Sequence, residues 1–421
     1  MSVAPTPLDA DQLLAAILID DPETPEVQEA LTALRPEVLA RTREAYDALY
    51  RTEQLLPVPV LHALAAVTAD WQGSGPLSAW HAAQGADARL TAADPIAADL
   101  HGLDAAALNA LREHVDLLSV SPALVGRPDQ TRLVGAGVDA PLAVLVSQLV
   151  SFESYLQRLL AGLAALRGVE VPTVEAPIRH PLTRGRVAEH GGPTATGRTR
   201  PSAFTREILQ WEPWVAVPEE DELSELQRAS FASKASTNSV YFRMLSLTPA
   251  ITAARSGLDN AIFLPRDGAP KAERELAAAV ASKVNDCIYC ASVHARKAAG
   301  LSRREDAVDT LLATALERDE DWIAADLAPL EAGQDDRWSA VIAVSAALSR
   351  PRPQLTAAEL EPLRRQGLST TEIADLLTAA AFFSWANRLM LSLGEPSLPD
   401  DGLPDAGRSD AGRSGAERVA A

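Results

Sequence analysis

The chain contains only two cysteines, Cys287 and Cys290, and they form a single Cys-x-x-Cys motif. A disulfide scaffold normally uses several cysteine pairs in a much shorter chain, which disfavours a purely structural role. Two thiols at this spacing can close a disulfide with each other or contribute ligands to a metal ion. The sequence therefore indicates redox chemistry or metal binding at this motif.

The residues around the motif predict a helix that begins at or near Cys287. Asn285 and Asp286 are favourable N-cap residues. The unpaired N–H groups and the dipole of the first helical turn favour a thiolate, so the pKa of Cys287 is expected to be lowered. Cys290 follows one turn later and His294 one turn after that, on the same helix face. The imidazole can then act as a base or hydrogen-bond partner for Cys290.

A carboxylate stands on the preceding predicted helix. Glu275 comes just before the apolar run of residues 277–284, and burying its charge is expensive unless it has a partner. A thiol or an imidazole would be such a partner. The pKa of Glu275 is then expected to be raised, which suits a group that shuttles protons.

The whole pattern, Glu-x11-Cys-x2-Cys-x3-His, resembles the signature of the AhpD-like alkylhydroperoxidases within the carboxymuconolactone decarboxylase superfamily. The segment FFSWANRLMLSLGEP, which starts at residue 382, resembles one peroxidase-related branch of that superfamily. The resemblance covers residues 204–396. The first half of the chain is similar to the cysteine-free companion proteins of this branch, so the chain is interpreted as a fusion of the two.

The resemblance implies a thiol-dependent peroxidase that reduces organic hydroperoxides. Cys290 would attack the peroxide O–O bond as a thiolate and become a sulfenic acid, and Cys287 would resolve it to a disulfide. His294 and Glu275 would form a proton relay. Tyr289 stands where some members have a histidine, and a phenol is a weaker base that can still pass on a proton. A thiol or dithiol reductant protein is implied as a partner, and neither a cofactor nor a metal is implied.

Other interpretations use the same residues. A thiol–disulfide oxidoreductase, or a redox relay without a peroxide step, needs only the paired thiols. A zinc site would combine Cys287, Cys290 and His294 with water or Glu275, although no further cysteine exists to complete a closed structural site. A purely structural role in oligomerisation is a third possibility. A decarboxylase is suggested by the superfamily name alone, because those members lack the paired cysteines.

Composition predicts an all-α protein, and the resemblance implies two AhpD-like helical domains in tandem. Ala and Leu dominate, only 5% of residues are aromatic, and 421 residues exceed one typical domain. We predict a cysteine-free, degenerate domain over 1–168, a Pro/Gly/Arg-rich linker over 169–203, the catalytic domain over 204–396 and a disordered tail over 397–421. The linker is predicted to be solvated, with docking of its arginines onto an acidic face as the alternative.

A faint internal repeat aligns VSQLVSFESYLQRLLAGL in the first half with VASKVNDCIYCASVHARKAAGL in the second half. In this register Leu149 and Phe152 stand where the second half has Cys287 and Cys290, and a register three residues away is nearly as good. In either register the first half has neither cysteine nor histidine at the matching places, so the first copy is expected to keep the packing and lose the chemistry. The remaining histidines show no ligand spacing and are predicted to lie at the surface or in satisfied core positions: His62, His81, His101, His114, His180 and His190.

The bulk charge disfavours several classes of function. A formal net charge of -19 opposes binding to nucleic acid and to anionic lipid. The N-terminus lacks the basic start of a secretory signal, and no apolar run of about 20 residues is expected to span a membrane. A cytoplasmic location is therefore expected. The resemblance also implies a homo-oligomer built through helix–helix interfaces.

Overall fold

The chain folds into bundles of helices, as described by a computed structural model over residues 8–19, 24–52, 54–177, 186–353 and 355–399. Helices make up 61% of the residues that the structure describes, and these residues contain only two short strands. The all-α prediction is confirmed.

Nine α-helices are described in the first half, and six of them have proline at the first or second position. Proline is tolerated there because the first N–H groups of a helix have no intrahelical partner. The longest helix ends at Gly168, which adopts the left-handed conformation with φ 66°. The helices are α1 Ala10–Leu18, α2 Pro25–Leu31, α3 Pro36–Tyr50, α4 Val58–Trp71, α5 Gly75–Ala83, α6 Ala88–Thr91, α7 Ala105–Val120, α8 Arg127–Gly135 and α9 Ala140–Arg167.

Nine further α-helices are described in the second half. The last of them begins after Ser369, whose hydroxyl and backbone form a capping box with Glu372. The helices are α10 Glu225–Ala229, α11 Val240–Leu245, α12 Pro249–Phe263, α13 Lys271–Val284, α14 Ile288–Ser302, α15 Glu305–Ala313, α16 Asp336–Ser349, α17 Glu361–Arg365 and α18 Thr370–Leu393.

A two-stranded antiparallel sheet ties the segment after the linker to the end of α18. Strand β1 (Gln210–Pro213) pairs with strand β2 (Gly394–Ser397). Trp211 of β1 is buried, and its Nε1–H donates to the Met390 carbonyl at 3.1 Å. The indole ring lies so close to Gly394 that no side chain fits at this position. The sheet therefore fixes the segment before the second half against its last helix.

The two longest helices, α9 and α18, pack against each other. Residues 142–165 of α9 are buried, and Trp385 of α18 donates its Nε1–H to Gln148 of α9 at 2.8 Å. One continuous apolar cluster contains buried residues from both halves. The division of the chain into two domains is not tested by this packing and stays a prediction.

Helix α18 is the one helix in the described part of the chain that is long and apolar enough to cross a membrane. Of its most apolar window, 94% is buried inside the protein. A core helix has this environment. The sequence-based expectation that no run of this length exists is therefore corrected, and the run belongs to the core.

The segment after residue 185 binds both halves through its charged side chains. Arg186 lies 2.8 Å from Asp129 of the first half, and Arg200 lies 2.5 Å from Glu395 of the second half. These ion pairs favour docking over a solvated linker for residues 186–203. Residues 178–185 of the predicted linker and residues 400–421 of the predicted tail lie outside the described residues, whereas Ser397 at the start of the predicted tail is buried in strand β2.

Candidate active site

The Cys-x-x-Cys motif begins at the turn between α13 and α14. Asn285 is the C-cap of α13, Asp286 adopts the left-handed conformation with φ 62°, and Cys287 is the N-cap of α14. The helix start predicted at this place is confirmed. Asn285 and Asp286 are not its N-caps, however, because both are used in the reversal that separates the two helices.

Both thiols are free and buried, with Cys287 1% and Cys290 6% exposed. The two side chains hydrogen-bond with each other, and the backbone N–H of Cys290 donates to the Cys287 sulfur. Burial, the neighbouring thiol and the Asp286 carboxylate raise the pKa of Cys287 well above its ordinary value. The expectation of a lowered pKa is therefore wrong, because the loss of water outweighs the N-terminal helix dipole.

Glu275 of α13 and His294 of α14 meet between the two helices. Oε2 of Glu275 lies 2.6 Å from Nδ1 of His294, and the carboxylate is 1% exposed. Lys297 approaches the other carboxylate oxygen to 3.9 Å. Burial raises the pKa of Glu275, but His294 and Lys297 outweigh this effect and hold the pKa below its ordinary value. The carboxylate thus has the imidazole partner that its burial requires, and the predicted upward pKa shift is wrong.

Burial lowers the pKa of His294, and Glu275 opposes this shift without cancelling it. At neutral pH the pair is therefore a carboxylate and a neutral imidazole. Because a carboxylate can only accept a hydrogen bond, we assign the ring proton to Nδ1, which leaves the lone pair on Nε2. The Phe383 ring lies 4.2 Å from the imidazole, centroid to centroid. Within the described residues, no hydrogen bond joins His294 to either sulfur.

Two tyrosines lie near the sulfurs. Burial raises the pKa of Tyr289 to about 12, so its phenol stays protonated at neutral pH. Burial also raises the pKa of Tyr241 on α11, which Arg255 partly offsets and the two cysteines reinforce. The Arg255 guanidinium of α12 lies 5.9 Å from the Tyr241 ring centroid. Sequence analysis missed Tyr241 and Arg255, because no local spacing links α11 and α12 to the motif.

A buried amide on α18 holds the turn that carries Cys287. Asn387 accepts a hydrogen bond from the Asn285 side chain at 3.1 Å and donates one to the Ser282 hydroxyl at 3.0 Å. All three side chains are buried. The last helix therefore positions the motif, although it lies far along the chain.

The linker segment reaches the same turn from the other side. His190 lies 3.0 Å from the Asp286 carboxylate, which also accepts the Nε1–H of Trp322 at 2.7 Å. Burial raises the pKa of Asp286, but His190, Arg318 and Trp322 outweigh this effect and hold the pKa below its ordinary value. A carboxylate charge therefore stands one residue before Cys287.

A cavity of about 1200 Å³ lies beside this carboxylate. Its lining includes Phe204 and Lys283 but neither cysteine. The Lys283 amine donates to the Leu312 carbonyl at 2.7 Å and lies 4.0 Å from the Phe204 ring centroid. Burial lowers the pKa of Lys283 to about 8. The cavity borders the turn without opening onto the sulfurs.

Residues 249–328 match the model of the carboxymuconolactone decarboxylase family. The match starts with α12 and contains α13 to α15, and with them Glu275, both cysteines and His294. This part of the chain is therefore similar to the carboxymuconolactone decarboxylase family. A comparison with curated proteins finds no match to the chain. The family assignment rests on the second half, and a fused companion domain in the first half stays a prediction.

The side chains of the carboxymuconolactone decarboxylase segment are arranged in two pairs rather than in one cluster. Nδ1 of His294 is occupied by Glu275, and the two thiols bind each other. Across the residues that the structure describes, no group of three or more His, Cys, Asp or Glu side chains is arranged to hold a metal ion. The zinc interpretation therefore has no ligand cluster to support it.

Proposed function

We propose that the chain is a thiol peroxidase that reduces organic hydroperoxides through Cys290 and Cys287. The observation that carries this proposal is the combination of two buried free thiols with a buried carboxylate–imidazole pair on the same two helices. The match of residues 249–328 to the carboxymuconolactone decarboxylase family supports an enzyme of this broad kind. The peroxide chemistry itself is inferred from the side chains.

In the proposed first step, the Cys290 proton moves to Nε2 of His294, with the hydroperoxide or a water molecule bridging the two groups. The thiolate attacks the terminal peroxide oxygen, the O–O bond breaks and the sulfur becomes a sulfenic acid. The leaving alkoxide takes the proton from His294 and departs as the alcohol. Glu275 stabilises the imidazolium that exists between these two transfers.

In the second step, Cys287 attacks the sulfenic sulfur, the disulfide forms and water leaves. The raised pKa of Cys287 suits this order of events, because the group stays a thiol while Cys290 reacts. An external thiol or dithiol donor then supplies two electrons and two protons and restores both thiols. Tyr289 can contribute only as a neutral phenol, since its pKa is about 12.

The burial of the sulfurs supports a small oxidant over a protein disulfide. Thiol–disulfide exchange requires direct contact between the attacking sulfur and the disulfide of the partner. In the reduced chain such contact is difficult for side chains that are 1% and 6% exposed, whereas a hydroperoxide group is small. The donor that restores the thiols must make the same contact, so the proposed cycle requires the disulfide to become accessible after oxidation. An oxidoreductase without a peroxide step is therefore the second candidate. The reductant protein, the homo-oligomer and the cytoplasmic location stay predictions.

The test is reaction of the reduced protein with one equivalent of an organic hydroperoxide, followed by thiol counting and intact mass measurement. We expect the loss of two thiols and a mass lower by two hydrogens. Cys290→Ser should abolish the reaction, and Cys287→Ser should stop it at the sulfenic acid. If both thiols survive excess peroxide and exchange readily with small disulfides, the peroxidase proposal fails and the oxidoreductase interpretation replaces it.

A further inference from the structure

Helices of the first half recur in the second half at a constant distance along the chain. Helices α3 and α12 both have 15 residues, and their first residues, Pro36 and Pro249, are 213 positions apart. Helices α4 and α13 both have 14 residues, and each follows a proline N-cap. The same step of 213 takes Gly73 (φ 73°) to Asp286 (φ 62°), so the left-handed turn is repeated as well. Helix lengths and backbone conformation therefore define one alignment of the first half with the second half, which we call the register.

The second pair of long helices extends the correspondence. Helices α9 and α18 begin 230 positions apart and contain FESYLQRL and FFSWANRL at the same distance from their starts. The buried Arg158 donates to the Arg350 carbonyl of the second half at 2.6 Å, and the buried Arg388 donates to the Ser119 carbonyl of the first half at 2.9 Å. Such reciprocal contacts are those of a two-fold dimer.

This register replaces the one expected from the sequence. Helix α9 corresponds to α18, and not to α14, so Leu149 and Phe152 are not the counterparts of the two cysteines. The sequence-based alignment failed because helices rich in Ala and Leu match each other in many registers. Under the step of 213, Ser74 and Leu77 stand at the places of Cys287 and Cys290.

The same register superimposes the imidazole partners. His81 stands at the place of His294, and His62 stands at the place of Glu275. In both halves the partner binds the same ring atom, because Nδ1 of His81 lies 2.9 Å from His62 and Nδ1 of His294 lies 2.6 Å from Glu275. Under the step of 230 between α9 and α18, Glu153 takes the place of Phe383. The first half thus contains the framework of the thiol site without the thiols.

One difference decides whether the imidazole can accept a proton. Oε2 of Glu153 lies 3.1 Å from Nε2 of His81, and its other oxygen accepts the Tyr50 hydroxyl at 2.6 Å. Both nitrogens of His81 are therefore occupied, inside a site whose side chains are almost fully buried. The corresponding Phe383 has no atom that can hydrogen-bond to Nε2 of His294. An apolar ring leaves the lone pair available, whereas a carboxylate fixes a proton on that nitrogen.

We propose that Tyr50, His62, His81 and Glu153 form a silenced copy of the thiol site, and that Phe383 keeps His294 active by leaving Nε2 unoccupied. Compared with the second half, the first half has no thiols at these places, and its Glu153 carboxylate occupies Nε2 of His81. Phe383 is a positioning residue in this scheme, and its role rests on the proposed peroxidase function. The correspondence of the two sites does not depend on that function.

The correspondence is tested by placing Ser74→Cys and Leu77→Cys in a Cys287→Ser/Cys290→Ser chain. Diamide, which oxidises thiols without a peroxide step, should close a disulfide between positions 74 and 77, seen as a mass lower by two hydrogens. The single Leu77→Cys chain controls for disulfides between molecules. If the double variant keeps its helical circular dichroism but forms no intramolecular disulfide, the register is wrong and the inference falls.

The role of Phe383 is tested in the otherwise unchanged chain. Phe383→Glu should slow peroxide oxidation of the natural thiols by roughly 100-fold, the usual scale of a lost general base, while the helical circular dichroism stays unchanged. Phe383→Leu, which is also apolar, should keep the rate within a few-fold. Phe383→Gln, which can occupy Nε2 without a buried charge, is used if the glutamate variant does not fold.

The outcomes of this second test separate its two premises. A folded Phe383→Glu or Phe383→Gln chain that reacts at the wild-type rate would overturn the role of Phe383. A wild-type chain that does not react with peroxide would instead remove the proposed function. The disulfide at positions 74 and 77 would still report on the silenced copy.

Discussion

Replacement of Glu275 by glutamine is the most informative single change at the proposed relay. The substitution keeps the size of the side chain and removes the charge that faces Nδ1 of His294 at 2.6 Å. During proton transfer the imidazole becomes a cation, and a carboxylate about 4 Å from its centre stabilises it by about 4 kcal/mol at an effective dielectric constant near 20. The loss of this term predicts a slowing of about 10² to 10³-fold in Cys290 oxidation.

The assay is stopped-flow oxidation of the reduced protein by an organic hydroperoxide, followed by thiol counting. Glu273→Gln is the matched control, because Glu273 is also buried on α13 but pairs with Arg337 at 2.5 Å. It should lose stability without slowing the chemistry. The relay reasoning is refuted if Glu275→Gln reacts like the wild type, or if both glutamine variants slow the reaction equally.

Three further predictions concern stability. Burial lowers the pKa of His114 to about 4, so the unfolded chain binds more protons than the folded chain below pH 6.5, and stability should fall by about 3 kcal/mol between pH 6.5 and 4. Burial lowers the pKa of His62 in the same direction, and solvent screening should make its contribution smaller. Urea unfolding of His114→Gln should show a shallower acid slope, and an unchanged slope would contradict this. Arg35→Met breaks the 2.7 Å ion pair with Asp375 that joins the halves, and it should lower the free energy of unfolding by about 3 to 5 kcal/mol. The double variant Arg35→Met/Asp375→Leu should recover most of this loss in denaturant unfolding. Equal stability of the single and double variants would argue against this. Gly394→Ala should lower the free energy of unfolding by about 1 to 3 kcal/mol, because its methyl group would overlap the Trp211 ring. Gly300→Ala is the control: its methyl group meets open space, so the substitution should be neutral or stabilising in a thermal melt.

The parts of the site that could be predicted from sequence are those fixed by local spacing. A helix starting at the motif follows from the residues before Cys287, and the structure places Cys287 at the N-cap. The need of Glu275 for a partner follows from the cost of burying a charge, and His294 supplies that partner. Both inferences use only residues that are close together in the sequence or that lie on the adjacent helix.

The directions of two pKa shifts could not be predicted, because they depend on how completely the groups are buried and on what else lies nearby. For Cys287, the helix dipole was a real effect but smaller than desolvation at 1% exposure. For Glu275, the effect of desolvation on the pKa was outweighed by the His294 imidazole and the Lys297 ammonium group. A sequence gives the identity of the possible neighbours, but the balance between opposing terms of similar size requires their distances.

The first-half site could not be found from spacing either. His62, His81 and Glu153 come from three different helices, and nothing in their separation resembles a ligand or relay motif. The expectation of satisfied core positions holds for His62 and His81, which are both buried and hydrogen-bonded. What the expectation lacked was the register between the halves. Equal helix lengths and repeated left-handed turns reveal that register only once the helices are seen.

The proposed correspondence of the two halves has a physical consequence for the interface between α9 and α18. In a dimer of separate chains this packing would form only above a threshold concentration, whereas in one chain it forms at any dilution. The reciprocal contacts of Arg158 and Arg388 bury two guanidinium groups that donate to backbone carbonyls across the interface, Arg158 to Arg350 and Arg388 to Leu118 and Ser119. Neither half can keep those arginines satisfied alone. We therefore expect the first half to support the packing of α18, and through Asn387 the turn that carries Cys287, even though it has no thiol of its own.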